Sequence, residues 1–205
     1  MTILTLPLIK GGRGPRMAPW RKLSNTQAFE SPLTRSVQTL ALPGARWACS
    51  LTWANLDAAD AARMRAFLYA LRGRAGRFYV PHPTVKRPRG TAAGTPLVAG
   101  SGQTGATLAT DGWTAGATLL AGDLIGFGAS ELRVVISDAT ADGSGAMSIV
   151  IDEPMRASPA DNSALVLIEP KCVMRLAADE IESAFRPATT GPLSDVTIDC
   201  VETWS

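Results

Sequence analysis

The stretch Ala45-Arg-Trp-Ala-Cys-Ser-Leu-Thr-Trp53 decides how this chain reads. Trp47, Cys49, Leu51 and Trp53 recur at every second position, with Ala48, Ser50 and Thr52 between them. Successive side chains of a strand point to opposite faces, so this pattern predicts a half-buried strand over 45–53. Just before it, Pro43-Gly44 predicts a tight turn that follows alternation over 35–42. Leu40 and Leu42 would then pair with Trp47 and Cys49 in a β-hairpin. Fainter alternation begins near residues 26–30.

After the strand the period changes. Met64, Phe67, Leu68 and Leu71 fall at i, i+3, i+4 and i+7, the single apolar stripe of a surface helix. Asn55 or Asp57 can cap its N-terminus, where Asp57 and Asp60 suit the helix dipole, and Gly73 supplies the stop. A short strand is expected over 77–80, and Pro81-His-Pro83 breaks it.

Residues 82–104 are crowded with Pro, Gly, Thr, Lys and Arg, and read as the entrance to a separate module. Within that module the best strands are 124–127, 131–137 and 146–151, with Asp142-Gly-Ser-Gly145 as a turn between the last two. Gly105-Ala-Thr-Leu108 and Gly116-Ala-Thr-Leu119 echo one another and suggest two similar entries from turn into strand. Strong alternation returns over 165–177 and 195–205. There Val196, Ile198 and Cys200 share a face, and Trp204 is expected in register with it. The chain is therefore expected to be mainly β: a β-sandwich with one packed α-helix, plus an inserted small β-module. The discontinuous sandwich domain would comprise 1–90 with 166–205, and the module 91–165.

Charge is segregated along the chain. Residues 1–90 hold 15 Lys and Arg against three acids, and residues 91–205 hold five against 15. Such a chain could bind nucleic acid, could attract the opposite end of a second copy, or could simply carry a segregated solvated surface. The cations singled out as interface candidates are Arg13, Arg16, Arg72, Arg74, Arg77, Lys86 and Arg87. No apolar run approaches the roughly 20 residues of a membrane span, and residues 1–12 do not read as a signal peptide. Cys49, Cys172 and Cys200 are scattered without a CxxC pair, which points to buried free thiols.

Catalytic constellations are scarce. His82 is the single histidine and lies between two prolines, where a turn role outweighs any triad or zinc role. The adjacent pairs Asp152-Glu153 and Asp179-Glu180 would point to opposite faces of a strand. Asp138, Asp142 and Asp161 lack calcium-loop spacing. Gly100–Gly105 has no lysine and no clear following helix to make it a phosphate cradle. Neither an enzyme activity nor a cofactor is expected.

Three segments taken in order carry a resemblance. They are Pro43-Gly-Ala-Arg-Trp-Ala-Cys-Ser-Leu-Thr-Trp53, Asp57-Ala-Ala-Asp-Ala-Ala62, and Phe67-Leu-Tyr-Ala-Leu-Arg-Gly-Arg-Ala-Gly-Arg-Phe78. Ala121-Gly-Asp-Leu-Ile125, Leu132-Arg-Val-Val135, Asp142-Gly-Ser-Gly145 and Pro154-Met-Arg156 extend it to cover about 35–178. The chain resembles tail-tip proteins of siphophages and prophages, of the distal tail family. That resemblance implies a virion protein at the distal end of the tail, a homo-oligomeric ring, usually a hexamer, with the tail tube protein and the hub and tail-tip proteins as partners. It implies no catalytic site, no specific nucleic acid and no membrane span. Another minor tail or hub-adjacent protein is the near alternative. A tail-borne carbohydrate-binding module is the distant one, with Trp113 and Phe127 as its candidate glycan contacts.

Overall fold

A computed structural model describes residues 2–9, 14–128, 130–180, 183–186 and 193–204. The chain is mainly β, with one α-helix and several sheets among the described residues. It divides into two compact units, Met1–Val80 with Val173–Ser205, and Pro81–Cys172. In chain order the first elements are β1 (Leu4–Thr5), β2 (Trp20–Leu23), β3 (Thr26–Glu30), β4 (Val37–Ala41), β5 (Arg46–Leu56), α1 (Ala58–Leu71) and β6 (Phe78–Pro81). The next are β7 (Gly94–Val98), β8 (Thr107–Trp113), β9 (Thr118–Leu119), β10 (Leu124–Phe127), β11 (Glu131–Val134), β12 (Ala139–Thr140) and β13 (Met147–Val150). The chain closes with β14 (Lys171–Leu176), β15 (Ser183–Arg186) and β16 (Leu193–Glu202).

In the first unit a seven-stranded sheet has the order β1-β6-β14-β16-β5-β2, with β15 also on β16. Its centre joins the two ends of the chain: β5 lies antiparallel to β16, with Leu51 opposite Ile198 and Trp53 opposite Val196. The alternation that announces β5 is what this arrangement uses. Trp47, Cys49, Leu51 and Trp53 are buried, while Ser50 and Thr52 are half-exposed. Helix α1 packs against β5 and β16, through Met64, Phe67, Leu68 and Leu71, all buried. Asp57 is its N-cap, the carboxylate accepting the Asp60 N–H at 2.8 Å.

The resemblance-bearing segment Arg72-Gly-Arg-Ala-Gly-Arg-Phe78 has a physical basis in the turn after the helix. Arg72 takes the left-handed C-cap conformation with φ 53°, and Gly73 follows at φ +67°. A Cβ on Gly73 would meet the Asp179 carboxylate at 2.5 Å, and one on Gly76 would meet the Leu71 carbonyl oxygen at 2.4 Å. The chain can then double back tightly enough to set Phe78 edge-on to Phe67, ring centres 5.5 Å apart.

Two expectations for this unit change. β4 does not pair with β5 across Pro43-Gly44; it pairs with β3, Phe29 opposite Gln38 and Thr26 opposite Ala41. A turn over Ser31–Ser36 closes that pair, with the Ser31 N–H bonded to the Ser36 carbonyl and Arg35 at φ 58°. Pro43-Gly44 instead marks the break through which the ribbon runs on into the β2–β5 pair. Alternation identifies a strand but carries no information about its partner. Trp204 lies past the end of β16 and is 43% exposed; the buried face ends on Glu202, at 1%.

The second unit builds its core from the sheet β13-β8-β7 and the ribbons β10-β11 and β12-β9. Leu108, Leu119, Ile125 and Ile149 lie fully buried in one cluster. The echoed segments do the same work twice. Gly105 and Gly116 both take positive φ, and Leu108 and Leu119, three residues on, enter the core. Asp142 closes the turn before β13, accepting the Ser144 and Ala146 N–H groups and the Ser144 hydroxyl. The unit is wider than residues 91–165 because its flanks are tied in. Arg89 bonds Asp123, Val166 exchanges two backbone bonds with Gly126, and the Glu169 N–H reaches the Lys86 carbonyl. A stretch rich in Pro, Gly and Arg reads as a linker only while its hydrogen-bond partners are unseen.

Candidate assembly surface

The segregated cations are divided between the two units, and two of them are engaged in ion pairs. Arg74 gives its backbone N–H and its Nε–H to Asp179, at 2.8 and 3.0 Å. Those bonds hold the Asp179 carboxyl below the usual range. Lys86 pairs with Glu169 at 3.5 Å. Arg72 is exposed at the helix C-cap, Arg77 is half-buried, and Arg87 is exposed on the second unit. Arg16 is exposed, and its backbone N–H bonds the Thr52 carbonyl. Arg13 lies outside the described residues.

Folding also redistributes the charge. The first unit carries 14 basic and nine acidic residues, the second six and nine. Acids near the C-terminal end return to partners in the first 80 residues. Asp195 accepts the Asn55 N–H at 2.9 Å, and Glu202 accepts the Trp47 N–H at 2.9 Å. The contrast along the sequence is thus partly offset within the first unit.

The most exposed strand pair among the described residues is the β3–β4 ribbon. All ten of its strand residues are exposed. Phe29 is 68% exposed, Leu33 at the tip 93%, Val37 59% and Leu40 57%. Phe29 and Leu40 share one face with Gln27 and Gln38, because cross-strand partners point the same way. Two strands alone are marginally stable in water. Proteins usually protect exposed edges with charge or proline, yet these strands hold no proline and one charged residue, Glu30. The ribbon's exposure was not legible in the sequence, since the 35–42 strand was expected to pair with 45–53 and no partner was expected for 26–30.

Other candidates resolve into structural roles. Trp113 and Phe127 are 5% and 2% exposed, so the expectation of exposed glycan-stacking faces is corrected. The Trp113 indole N–H bonds Thr110 Oγ1 at 2.8 Å inside the core, and that hydroxyl bonds the Met147 carbonyl. The His82 ring accepts the Val85 N–H at Nδ1, 3.1 Å, which shapes its turn, and burial lowers its pKa. Asp138, Asp142 and Asp161 each bond backbone N–H groups of separate loops. Among the described residues no group of three or more His, Cys, Asp or Glu is placed to hold a metal. An open groove of about 700 Å³ runs between 87–97 and 164–168, with apolar Leu97, Val166 and Ile168 among its lining. Among the described residues no helix is long and apolar enough to cross a membrane.

No protein-family model matches the chain, and no curated protein matches it.

Proposed function

We propose that this chain is a non-enzymatic structural subunit of a bacteriophage tail tip. In this reading copies of the chain close a ring that joins the tail tube to the hub and receptor-binding apparatus, as in distal tail proteins. The observation that carries the reading is the β3–β4 ribbon, an arm with apolar side chains on both faces and unprotected edges. Such an arm is stabilised by lying against another chain, and a contact between one surface and a different surface of the next copy generates a ring when its rotation closes. The ordered resemblance over 35–178 names the assembly, and the ribbon supplies the need for a neighbour. The unshared positive charge of the first unit adds steering rather than the main adhesion.

The test is the oligomeric state of the purified chain, by light scattering on a sizing column and negative-stain microscopy. Closed rings are expected, and the double variant Phe29→Ser, Leu40→Ser is expected to run as a monomer with an unchanged circular-dichroism spectrum. A wild-type monomer at high concentration, or rings that survive both substitutions, would overturn the reading. Immunogold labelling of virions carrying this chain, with antibody to 92–165, then tests the location. Gold is expected only at the distal end of the tail; gold along the tube or on the capsid would refute it.

A further inference from the structure

Cys49 and Cys200 come from strands 151 residues apart, and the β5–β16 register sets them directly opposite one another. Both lie on the buried face, at 1% and 2% exposure. Their sulfurs are 3.1 Å apart, and the Met174 thioether lies 3.4 Å from Cys49 Sγ. Directly opposed residues of an antiparallel pair have Cα atoms about 4.5 to 5.5 Å apart, inside the range of roughly 4.4–6.8 Å that a disulfide spans. The sulfurs need only approach one another, by side-chain rotation, to bond.

We infer that Cys49 and Cys200 form an oxidisable cross-strand pair whose disulfide staples the two chain segments of the discontinuous first unit. The oxidant is a peroxide, small enough to reach a site that a bulky disulfide reagent cannot. One thiolate attacks hydrogen peroxide, breaking the O–O bond to give a cysteine sulfenic acid and hydroxide, which takes up a proton to become water. The second thiol, already in contact, displaces the sulfenic oxygen as a second water, and the S–S bond forms. Two protein thiols are oxidised and one peroxide is reduced to two waters. Because the neighbouring sulfur is in place, the sulfenic acid is captured before further oxidation. The link encloses the whole of the second unit, and closing so long a loop restricts the unfolded chain strongly. A chain held reduced in the cytosol would acquire the staple after leaving it. The chemistry does not depend on the tail-tip reading.

The test uses the full chain, purified under reductant, exchanged into buffer and exposed to about equimolar hydrogen peroxide. It is then denatured, alkylated without reduction and digested. The expected product is a peptide joining Cys49 to Cys200, with Cys172 alkylated, two fewer alkylations per chain than the reduced control, and reversal by dithiothreitol. The melting midpoint should rise by several degrees on oxidation and fall back on reduction. Cys172→Ala should keep both responses, and Cys200→Ser should lose both. Sulfinic acid without cross-link, a bond to Cys172, dimers joined through cysteine, or a lowered melting midpoint would each overturn the inference. The wild-type peptide map stands even if a variant fails to fold.

Discussion

Replacing Asp123 tests whether one buried carboxylate organises the second unit. Its side chain is fully buried, with Oδ1 accepting the Arg89 N–H at 3.0 Å and Nε–H at 3.2 Å, and Oδ2 accepting the Leu120 N–H at 2.9 Å. Asp123→Ala leaves two backbone donors without an acceptor. The Arg89 side chain is 62% exposed and regains water, so it adds little. At roughly 1–1.5 kcal/mol for each partly buried orphan, the loss is about 2–3 kcal/mol. Asp123→Asn keeps Oδ1 but turns an amide N–H₂ toward the Leu120 N–H, and should lose about half as much. Peptide-resolved hydrogen exchange reads this directly. Amides around Leu119 and Ile125 should exchange roughly 30- to 150-fold faster in Asp123→Ala, while those of α1 keep their wild-type rates. Burial pushes the Asp123 pKa up, but the backbone and side-chain hydrogen bonds from Arg89 and the backbone bond from Leu120 outweigh it, and the net shift is downward. A lowered folded-state pKa means the stabilisation is full above the unfolded value, about 3.9, and is lost as pH falls through the folded one. The gap between wild type and Asp123→Asn in urea unfolding should therefore be complete above about pH 4 and close below it. Acceleration under about fivefold, equal acceleration in both units, or a gap that persists in acid would refute the reasoning.

Five further outcomes are expected. Gly76→Ala should destabilise the first unit by about 2 kcal/mol or more, read by urea unfolding, because its Cβ would press on the Leu71 carbonyl oxygen and Cα, backbone atoms that cannot swing aside. Gly100→Ala, at φ +88° but with nothing within 4 Å of the added carbon, should cost only about 1 kcal/mol. Glu202→Ala removes the acceptor of the Trp47 N–H in the core and should cost about 1–3 kcal/mol by the same assay. Asp57→Ala should cost about 1 kcal/mol, the usual value of a lost N-cap, with the extra exchange confined to the first turn of α1. If copies of the chain close a ring as proposed, raising salt should slow its assembly more than it weakens the finished ring, seen by stopped-flow light scattering, because in that reading apolar contacts of the ribbon, not ion pairs, hold it.

Much of the fold was legible in local patterns. Period two over 45–53 and 196–200 marked the two central strands and their buried faces, and the 3.6-residue stripe from Met64 to Leu71 marked the helix with its Asp57 cap. The buried position of Glu202 was also legible in principle, since it continues the even-numbered face of Val196, Ile198 and Cys200. An acid at the end of a strand reads as solvated until the Trp47 N–H is seen against it. The charge contrast between the halves misled, because Asp179, Asp195 and Glu202 fold back to bond groups of the first 80 residues.

By itself the sequence determined the two central strands of the main sheet, the helix, and that a module interrupts a domain whose ends must meet. Backbone propensity and side-chain periodicity act over a few residues, so they are written locally. Tertiary structure alone decided that β4 takes β3 and leaves their ribbon uncovered, that Trp113 and Phe127 go inside, and that Cys49 faces Cys200 across the sheet. Those outcomes depend on which distant backbone satisfies each strand's hydrogen bonds, a competition among all strands that no local pattern encodes.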